Sequence, residues 1–315
     1  MTALRIISPG GYTTIQDRGR FGFQHVGIPV SGALDAFAFT LANFLVGNPD
    51  NTPVMEITVM GPSFEIRKEM DMALTGAQMG ISVNGVLMEQ WASIRVKPGD
   101  LVSIGQVRTG CRAYLAFSGG IRVPEIMGSF STYTGGKIGG FKGRPLQKED
   151  LLETGDASLL IRPRALPPSL VPVYSSEPVI RAIPGPQADY FDTGLNTLFQ
   201  CEYTVTVKAD RMGYRLQGQP IPIKKGMPKS IVSEPSMPGG IQIPADEQPI
   251  ILLVEQTVGG YAKIATVISS DLPLVAQTTP GDTLRFEAVD LATAHGVILE
   301  HKNRINAIKQ RIEAL

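Results

Sequence analysis

The residues best suited to chemistry lie in a few short segments. Residues 231–282 interleave Ser233, Glu234, Gln242, Gln248, Glu255, Gln256 and Thr257 with apolar, strand-like runs, and Gly259-Gly260-Tyr261 breaks that pattern. Carboxamides, carboxylates and hydroxyls at this density suit a site that reads a small polar molecule, because such groups are costly to bury without partners. Glu234, Glu255 and Gln256 are the most chemically capable members. Gly259 and Gly260 permit close backbone approach, and Tyr261 can cap a pocket and donate a hydrogen bond. The plain alternative is a β-bulge at the glycines, with the glutamates on the solvent face of strands.

Two arginine-bearing segments suit anions. Thr13–Gln16 reads as a strand running into a loop, Asp17-Arg18-Gly19-Arg20-Phe21-Gly22. Arg18 and Arg20 can bind a carboxylate or phosphate through paired N–H donors. Asp17 can hold a guanidinium in place or take a proton; a salt-bridged turn is the alternative. In ADRMGYRLQG (209–218), Arg211 is an anion ligand if it points into a cleft, and otherwise a partner in a surface ion pair. A glycine-rich stretch, 128–144, carries Lys137, Lys142 and Arg144, but its spacing is not that of a phosphate-binding P-loop, since position 131 is serine. It reads as an Ω-type surface loop that can cover a site or contact another subunit. His25, His295 and His301 are the three histidines, and the last two lie six apart on one helix, so no zinc site is expected. No G-x-S-x-G elbow and no dinucleotide fingerprint occur.

Short runs rich in Val, Ile, Leu and Phe, punctuated by Pro, Gly and Asp, must position these groups. SIRVKPGDLVSIG (93–105) and GDTLRFEAV (281–289) are examples, and they predict a mainly β chain. Lys97-Pro98-Gly99-Asp100 and Thr279-Pro280-Gly281-Asp282 echo each other ahead of an alternating strand, which raises the possibility of two related barrels. The proline-rich stretch 165–178 is the linker candidate, giving domains at 1–165 and 179–315 joined by 166–178. Ser31 is the expected N-cap of a helix through LDAFAFTLANFLV, with Leu34, Phe37, Ala38, Leu41 and Leu45 on one apolar face. A second helix, from about Leu291 to Leu315, carries apolar residues at 3-4 spacing, for packing on a barrel or against a partner subunit.

The chain has 315 residues, 29 basic and 29 acidic, with 34 glycines and 24 prolines. A formal charge of zero argues against nucleic acid or an anionic membrane as the main partner. The start lacks a signal-like apolar core and no long apolar run exists, so a cytoplasmic protein is expected. Cys111 and Cys201 make no disulfide framework.

The run from YTTIQDRGRFGFQHVGIPVSGALD through MEITVMGPSF, YLAFSGGIRVPEIMGSFSTY and RMGYRLQG to GGIQIPADEQPI and EQTVGGYAKIATVISSDL resembles the biotin-dependent carboxyltransferase/allophanate hydrolase subunit 2 family. Within that family, the branch formed by the C-type subunits of 5-oxoprolinase is the best match. The resemblance implies two cyclophilin-like β-barrels with a few helices. It also implies ATP-dependent opening of 5-oxo-L-proline to L-glutamate, shared with A and B subunits, with ATP and Mg handled by the complex and little turnover by this chain alone. A lactam is resonance-stabilised, and phosphorylating its oxygen would make it a better electrophile. On this reading Glu234, Glu255 and Gln256 are catalytic, and Gln16, Asp17, Arg20, Arg211, Gly259, Gly260 and Tyr261 bind substrate. The module also resembles the carboxyltransferase part of urea carboxylase and a regulatory protein that antagonises a kinase inhibitor. Carboxyl transfer from a separate biotin carrier and non-enzymatic partner binding are therefore the alternatives. The family pattern usually has glycine at Glu247, aspartate at Glu255 and proline at Ala262, so this chain's departures fall in the segment that carries the candidate site.

Overall fold

A computed structural model describes residues 2–156 and 158–314. The chain divides into two compact units, one formed by 1–20, 31–173 and 304–315, the other by 21–30 and 174–303. The crossing at 173/174 falls inside the proline-rich stretch. The sequence-based division at 165 and 179 treats each domain as one continuous segment, whereas 21–30 and 304–315 each join the unit opposite to their flanking sequence.

The first unit opens with strands β1 (Thr2–Ser8) and β2 (Tyr12–Gln16), helix α1 (Ala36–Leu45), β3 (Val54–Thr58) and β4 (Ser63–Ile66). It continues through the long β5 (Met70–Val83), β6 (Val86–Met88), β7 (Ser93–Val96), the longer β8 (Leu101–Phe117), β9 (Ile121–Arg122) and β10 (Leu151–Thr154). Among the described residues they form one ten-stranded sheet in the order β2-β3-β8-β4-β1-β10-β9, with β5 bridging β6, β7 and β8. Its core is apolar, including Leu4, Ile6, Ile57, Phe64, Leu74 and Leu115.

Helix α1 begins later than the sequence predicts. Asp35, not Ser31, is the N-cap, with its Oδ1 accepting from the Ala38 N–H at 3.0 Å. Ser31 instead sits at φ 56°, in the left-handed region. The reason is that the N–H groups after it are committed elsewhere. Gly32 donates to Gln16 Oε1, Ala33 to the Asp17 carbonyl and Leu34 to Glu56 Oε2. These tertiary contacts hold 32–34 in a non-helical path, and the helix starts only where Asp35 caps it. Nor is α1 apolar on one face only, since every residue from Phe37 to Leu45 is buried. Tyr114 anchors its entry by donating to Glu56 and accepting from the Asp35 N–H, both at 2.8 Å. Burial, with Glu56 and Asp35 nearby, pushes the Tyr114 phenol well above its ordinary value, so it stays protonated as a donor.

The second unit contains β11 (Val179–Pro184), α2 (Gly194–Gln200), β12 (Glu202–Ala209), β13 (Gly213–Gly218), β14 (Glu234–Pro235) and β15 (Gly240–Ile243). Then come β16 (Ile250–Leu252), β17 (Val258–Gly259), β18 (Ala262–Val267), α3 (Leu272–Ala276) and β19 (Thr283–Ala288). Seven of these strands close a barrel, β11-β18-β15-β16-β13-β12-β19, sealed by parallel pairing of β19 with β11. The strands β14 and β17 form a separate two-stranded ribbon. The mainly β expectation holds, with barrel-like sheets in both units. The helix α4 (Leu291–Glu313) spans the predicted C-terminal segment. Ile308 and Ile312 are buried with the aromatic residues of α1, while Leu291 and Leu299 are exposed.

The echoed turns are the same structure. Asp100 Oδ2 accepts the Lys97 N–H and Asp282 Oδ2 accepts the Thr279 N–H, each at 2.7 Å. Each aspartate returns its own N–H to the first carbonyl at 3.0 Å, and Gly99 and Gly281 take φ 93° and 99°. Both turns launch a strand, β8 and β19.

Glu247, where the family pattern has glycine, sits at φ 60° in the turn between β15 and β16. A side chain is strained there. Glu247→Gly is expected to raise stability by about 0.5–1 kcal/mol, read by denaturant unfolding, because relief of that strain outweighs the entropy glycine adds to the unfolded chain.

Candidate functional site

In the first unit, β2 delivers Gln16 and Asp17 into a buried polar knot. Asp17 is fully buried, and its Oδ1 accepts from the Gly19 N–H at 2.8 Å, from Ser129 Oγ at 2.7 Å and from Ser131 Oγ. Its Oδ2 accepts from the Phe130 N–H at 2.8 Å. Gln16 donates to Thr14 Oγ1 and the Thr132 carbonyl and accepts from Gly32. These contacts pin the segments 31–34 and 129–132 around the β2 exit.

Arg20 is the largest of the fully buried side chains. Its Nε donates to the Ile126 carbonyl and its Nη2 to the Ser131 carbonyl, both at 3.0 Å. Its Nη1 has no partner, and neither has the buried Ser31 Oγ. Burial lowers the basicity of this guanidinium, partly offset by nearby Asp17. Arginine keeps its charge regardless, so Arg20 presents a dry cation with one open donor. Arg18 instead pairs with Asp50 at the surface.

The glycine-rich stretch differs from an Ω-type surface loop over much of its length. Ser129, Ser131 and Thr132 are buried and serve Asp17 and Gln16. Its glycines pack against the stretch itself: a Cβ at Gly139 would meet the Ser131 carbonyl, at Gly140 the Thr132 hydroxyl and at Gly143 the Lys137 backbone. Gly139, Gly140 and Gly143 thus have a packing role within the stretch.

In the second unit, the Asp210–Gly213 turn carries Arg211 onto Glu255. Arg211 Nε lies 2.5 Å from Glu255 Oε1, and both side chains are buried. The Glu255 N–H also donates to the Arg211 carbonyl at 3.0 Å, and the Leu253 N–H to the Met212 carbonyl at 2.9 Å. Beside this pair lies a cleft of about 410 Å³, lined by Asp210, Met212, Arg215, Gln242, Gln256 and Tyr261 among others. Gln256 Nε2 donates to the Val258 carbonyl at 2.6 Å. Tyr261 is 41% exposed on the cleft.

The β14–β17 ribbon pairs Glu234 with Gly259. Glu234 Oε1 accepts from Lys263 Nζ and, at 3.3 Å, from Gln187 Nε2. The hydrogen bond from Lys263 holds the Glu234 carboxyl below its ordinary range. Lys263 stands opposite Gln242 across β18 and β15. The Gln242 amide nitrogen and the Ser236 hydroxyl are buried without partners, and a Cβ at Gly259 would run into both. Glycine at 259 thus lets the Gln242 carboxamide lie directly against the backbone. Gly260 has looser surroundings.

Gln16, Asp17 and Arg20 therefore converge in the first unit, and Arg211, Glu234, Glu255, Gln256, Gly259, Gly260 and Tyr261 belong to the second. Ser129, Ser131, Ser236, Lys263 and Gln187 join them without a local sequence signal that marks them. Among the described residues, no three His, Cys, Asp or Glu side chains gather as a metal ion would need.

The second unit thus combines a closed barrel with a buried polar cluster and an open cleft, and the first a sheet with a buried arginine. The family model for the carboxyltransferase domain, subdomains A and B, matches residues 26–288, and the chain belongs to that family. It is 35% identical to the C-type subunit of 5-oxoprolinase from Haemophilus influenzae over 93% of this chain and 92% of that one. It is 36% identical to the Escherichia coli protein of the same name over 92% and 93%. The crystal structure of the Kluyveromyces lactis urea carboxylase superposes with a TM-score of 0.92 at 32% identity, covering 97% of this chain and 29% of that one. No helix among the described residues is long and apolar enough to cross a membrane.

Proposed function

We propose that this chain is the C-type subunit of an ATP-dependent 5-oxoprolinase, opening 5-oxo-L-proline to L-glutamate together with A and B subunits. The observation that carries this reading is end-to-end similarity to two chains of that name, over more than nine-tenths of both partners. Similarity to urea amidolyase of Saccharomyces cerevisiae, 36% identical, covers only 16% of that longer chain.

Within the second unit, Gln256 and the Gly259–Gly260 backbone orient the amide, and Tyr261 closes the cleft over it. Glu234 is the acid/base group: its Oε1 is tied to Lys263 and Gln187, its side chain is 41% exposed, and its Oε2 takes no hydrogen bond from either of them. Glu255 is engaged by Arg211, so it positions that arginine rather than moving protons. Within the first unit, Arg20 offers its open Nη1 to an anionic group. ATP with Mg is handled by the partner subunits, a reading supported by the glycine-rich stretch lacking P-loop spacing at Ser131. The whole acts in the cytoplasm.

The purified chain alone is expected to show little turnover, and adding the A and B subunits to restore ATP-dependent glutamate release. Full activity of the isolated chain, or none in any mixture, would overturn the reading. The second reading, a carboxyltransferase of the urea carboxylase type, draws on the 0.92 superposition. Product carboxylated only in the presence of a biotinylated carrier would select it.

A further inference from the structure

The Glu234–Lys263 pair, Ser236 and Gln242 form a cluster whose hydrogen-bonding capacity is unbalanced. On the donor side are the Gln242 carboxamide, the Ser236 hydroxyl and an ammonium with three N–H groups. The Gln242 amide nitrogen and Ser236 Oγ are buried with no partner, and Lys263 directs its ammonium to a single carboxylate oxygen of Glu234. Buried donors left unmade are destabilising, and a fold keeps them where a ligand completes them.

The cluster is nevertheless electroneutral, because Lys263 and Glu234 offset each other. Burying a further net charge beside them would be costly, whereas a neutral group with one strong acceptor would not. Glu234 adds an acceptor at the exposed edge, since its Oε2 takes no hydrogen bond from Lys263 or Gln187. Donors inside and a carboxylate acceptor at the rim match a group that carries C=O and N–H side by side.

Gln242 connects this cluster to the open cleft. Gln242 is among the residues that line the cleft, while its amide nitrogen is buried against Gly259. The terminal carboxamide torsion is soft, so rotation can turn the donor towards an entering carbonyl.

We infer that Ser236, Gln242 and the Lys263–Glu234 pair form a subsite for the neutral amide unit, H–N–C=O, of a small substrate. Gln242 and Ser236 donate to the carbonyl oxygen and Glu234 accepts from the N–H. The carboxylate of an acidic substrate is not read here. This deepens the 5-oxoprolinase reading and rests on it for the identity of the natural ligand, a five-membered lactam. Gln242 and Ser236 are substrate-binding groups, and Lys263 is a positioning residue acting through Glu234.

The test is calorimetric or NMR-detected binding to the full chain and to the complex with its partner subunits. The probes are 5-oxo-L-proline, 2-pyrrolidinone, which keeps the lactam but lacks the carboxylate, and L-proline, which keeps the carboxylate but lacks the lactam. Pyrrolidinone is expected to compete with 5-oxo-L-proline, and proline not to. Gln242→Met and Ser236→Ala are each expected to weaken both lactams by about 5- to 100-fold, by equal factors, raising KM with little change in kcat. Their thermal midpoints should stay level or rise, because each removes an unpaired buried polar atom, and this separates a binding role from a structural one. Lys263→Met should shift the acid limb of the activity profile upwards as Glu234 loses its hydrogen bond. Lys263→Arg should restore it.

Unaltered lactam binding in well-folded Gln242→Met and Ser236→Ala would overturn the inference, as would proline competing as well as pyrrolidinone, or no lactam binding by the complete complex. The two readings fail separately. An active complex indifferent to these substitutions removes the subsite and keeps the 5-oxoprolinase. Lactam or urea binding that depends on Gln242 and Ser236, in a complex without lactamase activity, keeps the subsite and removes the 5-oxoprolinase.

Discussion

Asp17→Ala is expected to lower the stability of this protein by about 4 kcal/mol, seen as a drop of roughly 10 °C in the thermal midpoint. The carboxylate accepts from two backbone N–H groups, Gly19 and Phe130, and from two hydroxyls, Ser129 and Ser131. The hydroxyls can rotate to new acceptors. The N–H groups cannot, and each unsatisfied buried donor costs about 1–3 kcal/mol. The substitution also takes away the negative charge that partly supports the buried Arg20 guanidinium. Asp17→Asn keeps the shape but turns an NH2 group towards donors, so it should recover only part of the loss. A change below about 1 kcal/mol for Asp17→Ala, measured by denaturant unfolding, would show that the 129–132 segment is held by other contacts.

The same knot shows what the sequence can and cannot disclose. Gln16, Asp17 and Arg20 are close in sequence, so their chemistry is legible as a cluster. Their partners Ser129 and Ser131 lie more than a hundred residues away, and nothing in the local pattern of GSFSTYTGG ties them to an aspartate. Turn chemistry is legible for the opposite reason. In Lys97–Asp100 and Thr279–Asp282 the aspartate, the glycine and the N–H it accepts all lie within four residues. The start of α1 escapes local reading because two residues can cap it and the deciding contacts, to Gln16, Asp17 and Glu56, are tertiary.

Lys263 is the clearest loss. A lysine in a strand ordinarily faces solvent, yet this one is buried opposite Gln242 and paired with Glu234 from a separate ribbon. The barrel brings β15, β18 and the ribbon together at that point, and sequence periodicity carries no information about which strands meet. By contrast, Glu247 stands out in the sequence as a departure from a family glycine, and its φ of 60° supplies the physical reason for that glycine.

Glu255→Ala is expected to cost about 3–5 kcal/mol, because it leaves the Arg211 guanidinium buried beside an emptied carboxylate position. Arg211→Ala should cost a similar amount from the other side of the pair. Glu255→Asp, the residue of the family pattern, withdraws the carboxylate by one methylene and should cost less than either, since the charge remains. If the pair serves only to join the Asp210–Gly213 turn to the Leu253–Glu255 segment, replacing both residues by methionine should recover most of the stability, because two packed apolar side chains avoid the desolvation of two ions. The coupling in such a cycle is expected to be about 2–3 kcal/mol. Activity of the reconstituted complex then separates anchoring from chemistry. A doubly substituted protein that is stable and active makes the pair a structural tie. One that is stable but inactive places the Arg211 charge in the working of the adjacent cleft, with Glu255 as the group that aims it.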